Sequence, residues 1–216
     1  MERRGIARFV PLMGLLFLVL AVVSFALSGD GPDADESTQK HVEFWSDEEG
    51  KQIASALIAC YAALVFVWFA SRVRQLIART EPQGGALASL SFAGTVIFAT
   101  GLLVNNAIQF AAAESAGDAS PQVTETLSVL YGDFFFPMAV GMSLFLIASG
   151  AAAVRYGAFN RFLGWAAIVI GVLAITPAGF IGSMIWTGIA GIVLFLGQDR
   201  ADSGGAAAVG PEAPVA

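Results

Sequence analysis

The sequence predicts an all-α fold: a polytopic transmembrane helical bundle of six helices, with both termini cytoplasmic. Three observations lead there. Of the 216 residues 56% are apolar and only 13% are charged, about half the ~25% charge of a soluble domain. The apolar residues gather into runs near the ~20 residues that span a bilayer, separated by gaps too short to fold as a soluble domain. The basic residues also sort by side. With six spans, Arg3, Arg4, Arg8, Arg72, Arg74, Arg79, Arg155, Arg161 and Arg200 fall on one face and only Lys40 and Lys51 on the other. Basic loops stay in the cytoplasm, so the multi-pass chain is expected to place both termini there and the acidic loop 28–50 on the extracytoplasmic side.

The first span, residues 9–27, follows three arginines in the manner of a secretory signal. Its 19 apolar residues exceed a signal core of roughly 7–15, so it is expected to be retained. In loop 28–50 the eight acids Asp30, Asp33, Asp35, Glu36, Glu43, Asp47, Glu48 and Glu49 account for most of the net charge of −6. Ser46 and Glu49 have the spacing of a capping box, which predicts a second helix from residue 47 to about 79. At 1.5 Å per residue such a helix runs to roughly 50 Å, well beyond a ~30 Å hydrocarbon core. Its span is placed at 53–72, and its arginines project into water. Glu81, Pro82, Gln83, Gly84 and Gly85 break it.

The third span covers 87–110. Ser120 and Pro121 suit an N-cap and first turn, and the fourth span is placed at 134–154, with a kink expected near Gly132 and Pro137. Spans 162–175 and 178–197 form a hairpin turning at Thr176 and Pro177. Residues 201–216 lack periodicity and read as a disordered cytoplasmic tail. Trp68 and Trp165, each close to an arginine, suit the aromatic belt of a membrane interface.

Polar residues within the spans converge on the extracytoplasmic end. Asn105 and Gln109 share a helix face, with Asn106 beside them. Tyr131 and Asp133 lie at similar depth on the fourth helix, and Gln52 and Ser55 on the second. Asn105, Gln109, Tyr131 and Asp133 are therefore the ligand-binding candidates, because polar groups at that depth need partners. Amides that join helices to one another are the structural alternative. Gly179, Ser183, Thr187 and Gly191 form a small-residue stripe for close helix packing, against a neighbour in the chain, a membrane protein partner or a second copy.

Several chemistries lack their residues. His41 is the only histidine and Cys60 the only cysteine. That removes a Ser-His protease centre within the bundle, paired-histidine haem ligation and a disulfide. No phosphate loop, dinucleotide fingerprint, HExxH or CxxC occurs, and one histidine among loop carboxylates has no metal-ligand spacing. No cofactor, metal or catalytic residue is expected, and no basic aromatic surface suits nucleic acid.

The run Arg155-Tyr156-Gly157-Ala158-Phe159-Asn160-Arg161-Phe162-Leu163-Gly164-Trp165, followed by an apolar helix and Thr176-Pro177, resembles the closing hairpin of an uncharacterised bacterial family of six-span membrane proteins of unknown function. That family often has proline at the Asn160 position and tryptophan at the Phe162 position. The resemblance covers about a fifth of the chain and implies an inner-membrane six-helix bundle. It supplies no catalytic residues. The expectation from sequence is a non-enzymatic accessory or regulatory bundle acting through partners in the bilayer. A small transporter or ligand-binding protein using the outer polar cluster is the alternative.

Overall fold

The computed structural model describes residues 9–82 and 85–207, with side chains to residue 197. Arg3, Arg4, Arg8, Gln83, Gly84 and tail positions 208–216 lie outside the described residues. Among those described, every regular element is helical. A short 3₁₀ turn, Val10–Leu12, leads into α1 (Met13–Ser28), followed by α2 (Thr38–Asp47), α3 (Glu49–Thr80), α4 (Leu87–Ser115), α5 (Pro121–Asp133), α6 (Phe135–Tyr156), α7 (Arg161–Leu173) and α8 (Pro177–Ala207). Five stretches are long and apolar enough to cross a membrane: Val10–Ser28, Glu49–Thr80, Leu87–Ser115, Pro121–Tyr156 and Pro177–Gly197. The sixth apolar helix, α7, is shorter at 13 residues.

The long helices form a closed ring. α1 packs on α3, α3 on α4, α4 on α6, α6 on α7, α7 on α8, and α8 returns to α1. The centre is aromatic. Phe66 lies 4.7 Å from Phe98, 5.0 Å from Phe17 and 5.2 Å from Phe145, ring centre to ring centre, and all four are buried. Edge-to-face and tilted pairs of this kind are favoured by the aromatic quadrupole.

Small residues bring the helices together. A Cβ at Gly94 would meet the backbone N of Phe145 and, at 2.7 Å, the carbonyl of Gly141, while one at Gly141 would meet the backbone N of Phe98. α4 and α6 thus touch backbone to backbone, as membrane helices do when small residues line the contact. The predicted stripe on the last helix acts within the chain. Gly191 faces Pro11, Gly14 and Leu15, and a Cβ at Gly14 would lie 2.6 Å from the Thr187 carbonyl. Ser183 and Thr187 are fully buried, and Gly179 lies against the Leu173 carbonyl at the α7–α8 turn.

Helix ends follow local chemistry, with two departures from the sequence reading. The loop 28–50 is not a simple connector, because Thr38–Asp47 is helical. Ser46 therefore lies in the last turn of α2, where its hydroxyl donates to the Glu43 carbonyl at 3.2 Å. It is unable to form the predicted capping box; α3 instead begins at Glu49 after Glu48, with no side-chain cap. The tail reading also changes, since α8 continues as helix through residues 201–207. The breaks at Ser120-Pro121 and Thr176-Pro177 fall as read, the kink lies between the expected Gly132 and Pro137, and Gly157 and Asn160 are helix ends the sequence reading did not mark. α5 and α6 part at Phe134, Gly157 closes α6 at φ 68°, where glycine is favoured, and Asn160 Oδ1 accepts from the Phe162 and Leu163 N–H groups to start α7. Thr176 Oγ1 accepts from Gly179 N–H ahead of Pro177, a serviceable N-cap with proline in the first turn.

One end of the ring carries Arg72, Arg74, Arg79, Arg155 and Arg161. The opposite end carries a cap formed by α2 lying on α5. In that cap Thr38 Oγ1 donates to Glu125 at 2.7 Å, His41 Nδ1 lies 2.8 Å from Ser128 Oγ, and buried Trp45 packs edge-on to Tyr131.

Candidate functional site

Beneath the cap, three helices contribute polar side chains at one depth. Ser24 and Ser28 stand one turn apart on α1, Gln52 and Ser55 on α3, and Asn105 and Gln109 on α4, so each pair shares a helix face. All six are buried. Gln52 is the hub: its Nε2 donates to the Ser28 carbonyl at 2.7 Å, and its Oε1 accepts from Gln109 Nε2 at 2.8 Å. Gln52 thereby satisfies a carbonyl of the last α1 residue, which has no partner within its own helix. Ser24 and Ser55 exchange hydroxyl bonds to each other's carbonyls at 3.1 and 2.9 Å. Tyr131 reaches in from α5, its hydroxyl 3.2 Å from Ser28 Oγ.

This network forms one end of a cavity of about 360 Å³. Ser24, Ser28, Asn105, Asn106 and Tyr131 supply its polar part, while Phe17, Ala21, Ala62, Met138, Phe180 and Met184 surround its deeper part. Every residue that lines it is uncharged. Four of them, Phe25, Gly132, Pro177 and Ile181, are exposed, so the cavity reaches the surface between the ends of α1, α5 and α8.

The polar wall is not fully paired. Asn106 Nδ2 donates to the Leu102 carbonyl at 2.6 Å, but Asn105 Oδ1 is buried with no hydrogen-bond partner. An unpartnered amide oxygen removed from water costs about 1–3 kcal/mol until a donor meets it. The arrangement can accept a hydrogen bond from a molecule whose remaining surface is apolar. With no ionised group on the wall, it offers nothing to balance a ligand charge.

The four binding candidates from the sequence separate. Asn105 and Tyr131 line the cavity, and Gln109 stands behind it, fixing Gln52. Asp133 is exposed at the α5–α6 junction and is not among the lining residues. Sequence reasoning grouped Gln52 and Ser55 with this layer but passed over Ser24 and Ser28. Two serines four residues apart near the end of an apolar helix were the available signal. The titratable groups of the cap lie outside this layer. Exposed Lys40 pairs with Glu36 at 2.7 Å, and that carboxylate holds its ammonium pKa above the ordinary lysine value.

Gln109→Leu tests whether the amide layer joins the helices. The substitution leaves Gln52 Oε1 with only the Ser28 hydroxyl, at 3.5 Å. The expected loss is about 0.6 kcal/mol and at most about 1.7, the average and the maximum measured for hydrogen bonds between membrane helices. Denaturant unfolding in mixed micelles would report it, and an unchanged midpoint would show that the layer contributes no stability. No protein-family model matches the chain, and no curated protein or solved structure matches it.

Proposed function

We propose that this chain is a six-span protein of a bacterial inner membrane, both termini cytoplasmic, that binds a small amphipathic molecule and performs no chemistry on it. The observation that carries the binding reading is a cavity of about 360 Å³ whose lining is uncharged and mostly apolar, with Ser24, Ser28, Asn105, Asn106 and Tyr131 gathered at one end. Pockets that hold small molecules have this character: about 300–1,000 Å³, mostly apolar, with a few placed polar groups.

The topology is supported by the ring. α7 occupies a full place between α6 and α8, and although its 13 residues rise only about 20 Å, flanking Arg161 and Thr176 suit its two ends. The arginine sidedness and the resemblance of the closing hairpin to a bacterial six-span family agree with it. Exposed Trp68 and Trp165 fit an interfacial belt at the arginine end. An accessory role through a membrane partner or homo-oligomer is less well supported, because the stripe that motivated it packs against α1.

Two experiments test these readings. For topology, single cysteines replace exposed Asp118 and Ala78 in a Cys60→Ser background. A membrane-impermeant maleimide applied to intact cells is expected to label Asp118→Cys and leave Ala78→Cys unlabelled. The reverse pattern would invert the orientation, and labelling of both would remove the six-span reading. For binding, protein extracted directly into polymer-bounded native discs is expected to retain a specific small molecule. Ala21→Trp, which fills the cavity, is expected to lose that molecule while the disc's bulk lipids stay the same. Identical contents in both proteins would overturn the binding reading.

A further inference from the structure

From the shape and chemistry of the cavity we infer its ligand class: a neutral, single-chain lipid with a hydroxyl-bearing head, entering from the side of the bundle. This rests on the binding reading above and makes it specific. The length comes from α1. Ser28 lies at the polar end of the cavity and Phe17 at its apolar end, a separation of eleven residues, or about 16 Å of helix. That is roughly half of a ~30 Å hydrocarbon core, the depth of one leaflet.

The number of chains follows from the volume. At about 360 Å³ the cavity lies near the lower end of the roughly 300–1,000 Å³ of small-molecule sites, which suits a ligand with one hydrocarbon chain better than one with two. The cavity is therefore a poor match to a diacyl phospholipid. The head is defined by what lines the polar end. Asn105, Asn106, Tyr131, Ser28 and Ser24 supply amides and hydroxyls at that end, and no ionised side chain lines the cavity to hold a phosphate, carboxylate or ammonium. A hydroxyl donates to Asn105 and accepts from its neighbours.

The entrance is lateral. α1 and α8 touch closely where Leu18 meets Gly188 and Gly14 meets Thr187. Nearer the cap, Phe25 and Ile181 line the cavity from these two helices, each more than half exposed. The seam is thus closed toward the arginine end and opens toward the cap, on the outward face of the ring where lipid chains lie. A single-chain lipid already inserted in that leaflet slides in with its tail toward Phe17 and its head toward Asn105, without leaving the membrane.

The test uses a monoacylglycerol carrying a diazirine midway along its chain, with the full chain reconstituted in phosphatidylcholine nanodiscs. Illumination is expected to label Ala21, Met138 or Met184, assigned to the residue by fragmentation of the labelled peptides. Unlabelled monooleoylglycerol is expected to suppress that labelling at least ten times more effectively than oleate or dioleoylglycerol. Asn105→Leu is expected to reduce it at least fivefold while leaving elution unchanged and thermal stability no lower. Equal competition by oleate would overturn the neutral-head assignment, and equal competition by dioleoylglycerol the single-chain assignment, with the binding reading intact in both cases. Labelling confined to exposed Val22 and Ile185, insensitive to every competitor, would overturn the binding reading as well. If Asn105→Leu fails to fold, Tyr131→Phe replaces it, with a partial loss expected; unchanged labelling there would remove the polar end from recognition.

Discussion

Replacing Gly141 with leucine is expected to prevent the ring from closing. At this position α4 and α6 meet backbone to backbone, and even a Cβ would lie 2.8 Å from Phe98 Cα. A leucine cannot relieve that contact by changing rotamer, because its first carbon already collides with main chain. The two helices must separate, and the reciprocal contact at Gly94, together with the Ser91–Ser149 hydroxyl pair at 2.9 Å, would part with them. Overpacking costs typically about 1–3 kcal/mol and more where backbone must move, so a loss of at least about 3 kcal/mol is expected. Detergent-solubilised protein should show it as aggregation on size exclusion or as a collapsed unfolding midpoint. Gly50→Ala is the control. It sits in α3 with nothing near its Cβ position, and alanine should stabilise the helix there by about 0.5–1 kcal/mol. Similar behaviour of the two variants would show that the α4–α6 contact is not tight.

Phe66→Ala should cause the second-largest effect, for a different reason. In a bilayer the unfolded helix keeps its apolar side chains in hydrocarbon, so burial itself contributes little and the loss is one of packing. Phe66 makes three close aromatic pairs, each worth about 0.5–1.5 kcal/mol, which sets the expected loss near 3 kcal/mol. Unfolding in mixed micelles, followed by the fluorescence of buried Trp186, would measure it. Trp186 lies 6.3 Å from the Phe145 ring and donates to the Leu163 carbonyl at 3.0 Å, so it reports on the same centre. A change below about 1 kcal/mol would mean that the ring centre is not a packed core.

The all-helical character and the long apolar helices were legible because hydrophobic runs and breakers are local signals. Thr176-Pro177 and Ser120-Pro121 are each recognised from a few residues. The second helix was legible too, since a strand of that length and composition has no place to satisfy its backbone within lipid. What escaped was decided by distant residues. Thr38–Asp47 has little apolar content and reads as connector; it is helical where Thr38, His41 and Trp45, on one face, meet Glu125, Ser128 and Tyr131 across some 87 residues of chain. The amide layer was visible as a set of helical faces at similar depth. Its division into a hub at Gln52, a brace at Gln109 and an unpaired group at Asn105 was not, because one turn of helix rotation would exchange those roles. Asp133 shows the same limit. Depth places it beside Tyr131, but the angular position of two residues on one helix differs by about 200°, and only the packed structure says which of them faces inward.

The contact between α1 and α8 has a consequence for biosynthesis. α1 leaves the ribosome well before α8, with the other helices made between them, yet the two are neighbours, with Gly14 against Thr187 and Gly191. Until α8 is made, Gly14 has only Phe69 of α3 beside it, while Ser24 and Ser28 already meet α3, α4 and α5. The ring is therefore an open arc until α8 is made, and its wall is completed in the step that brings α8 against α1. A premature stop anywhere before α8 leaves an arc with a glycine groove along its edge, the kind of product a membrane quality-control protease can grip.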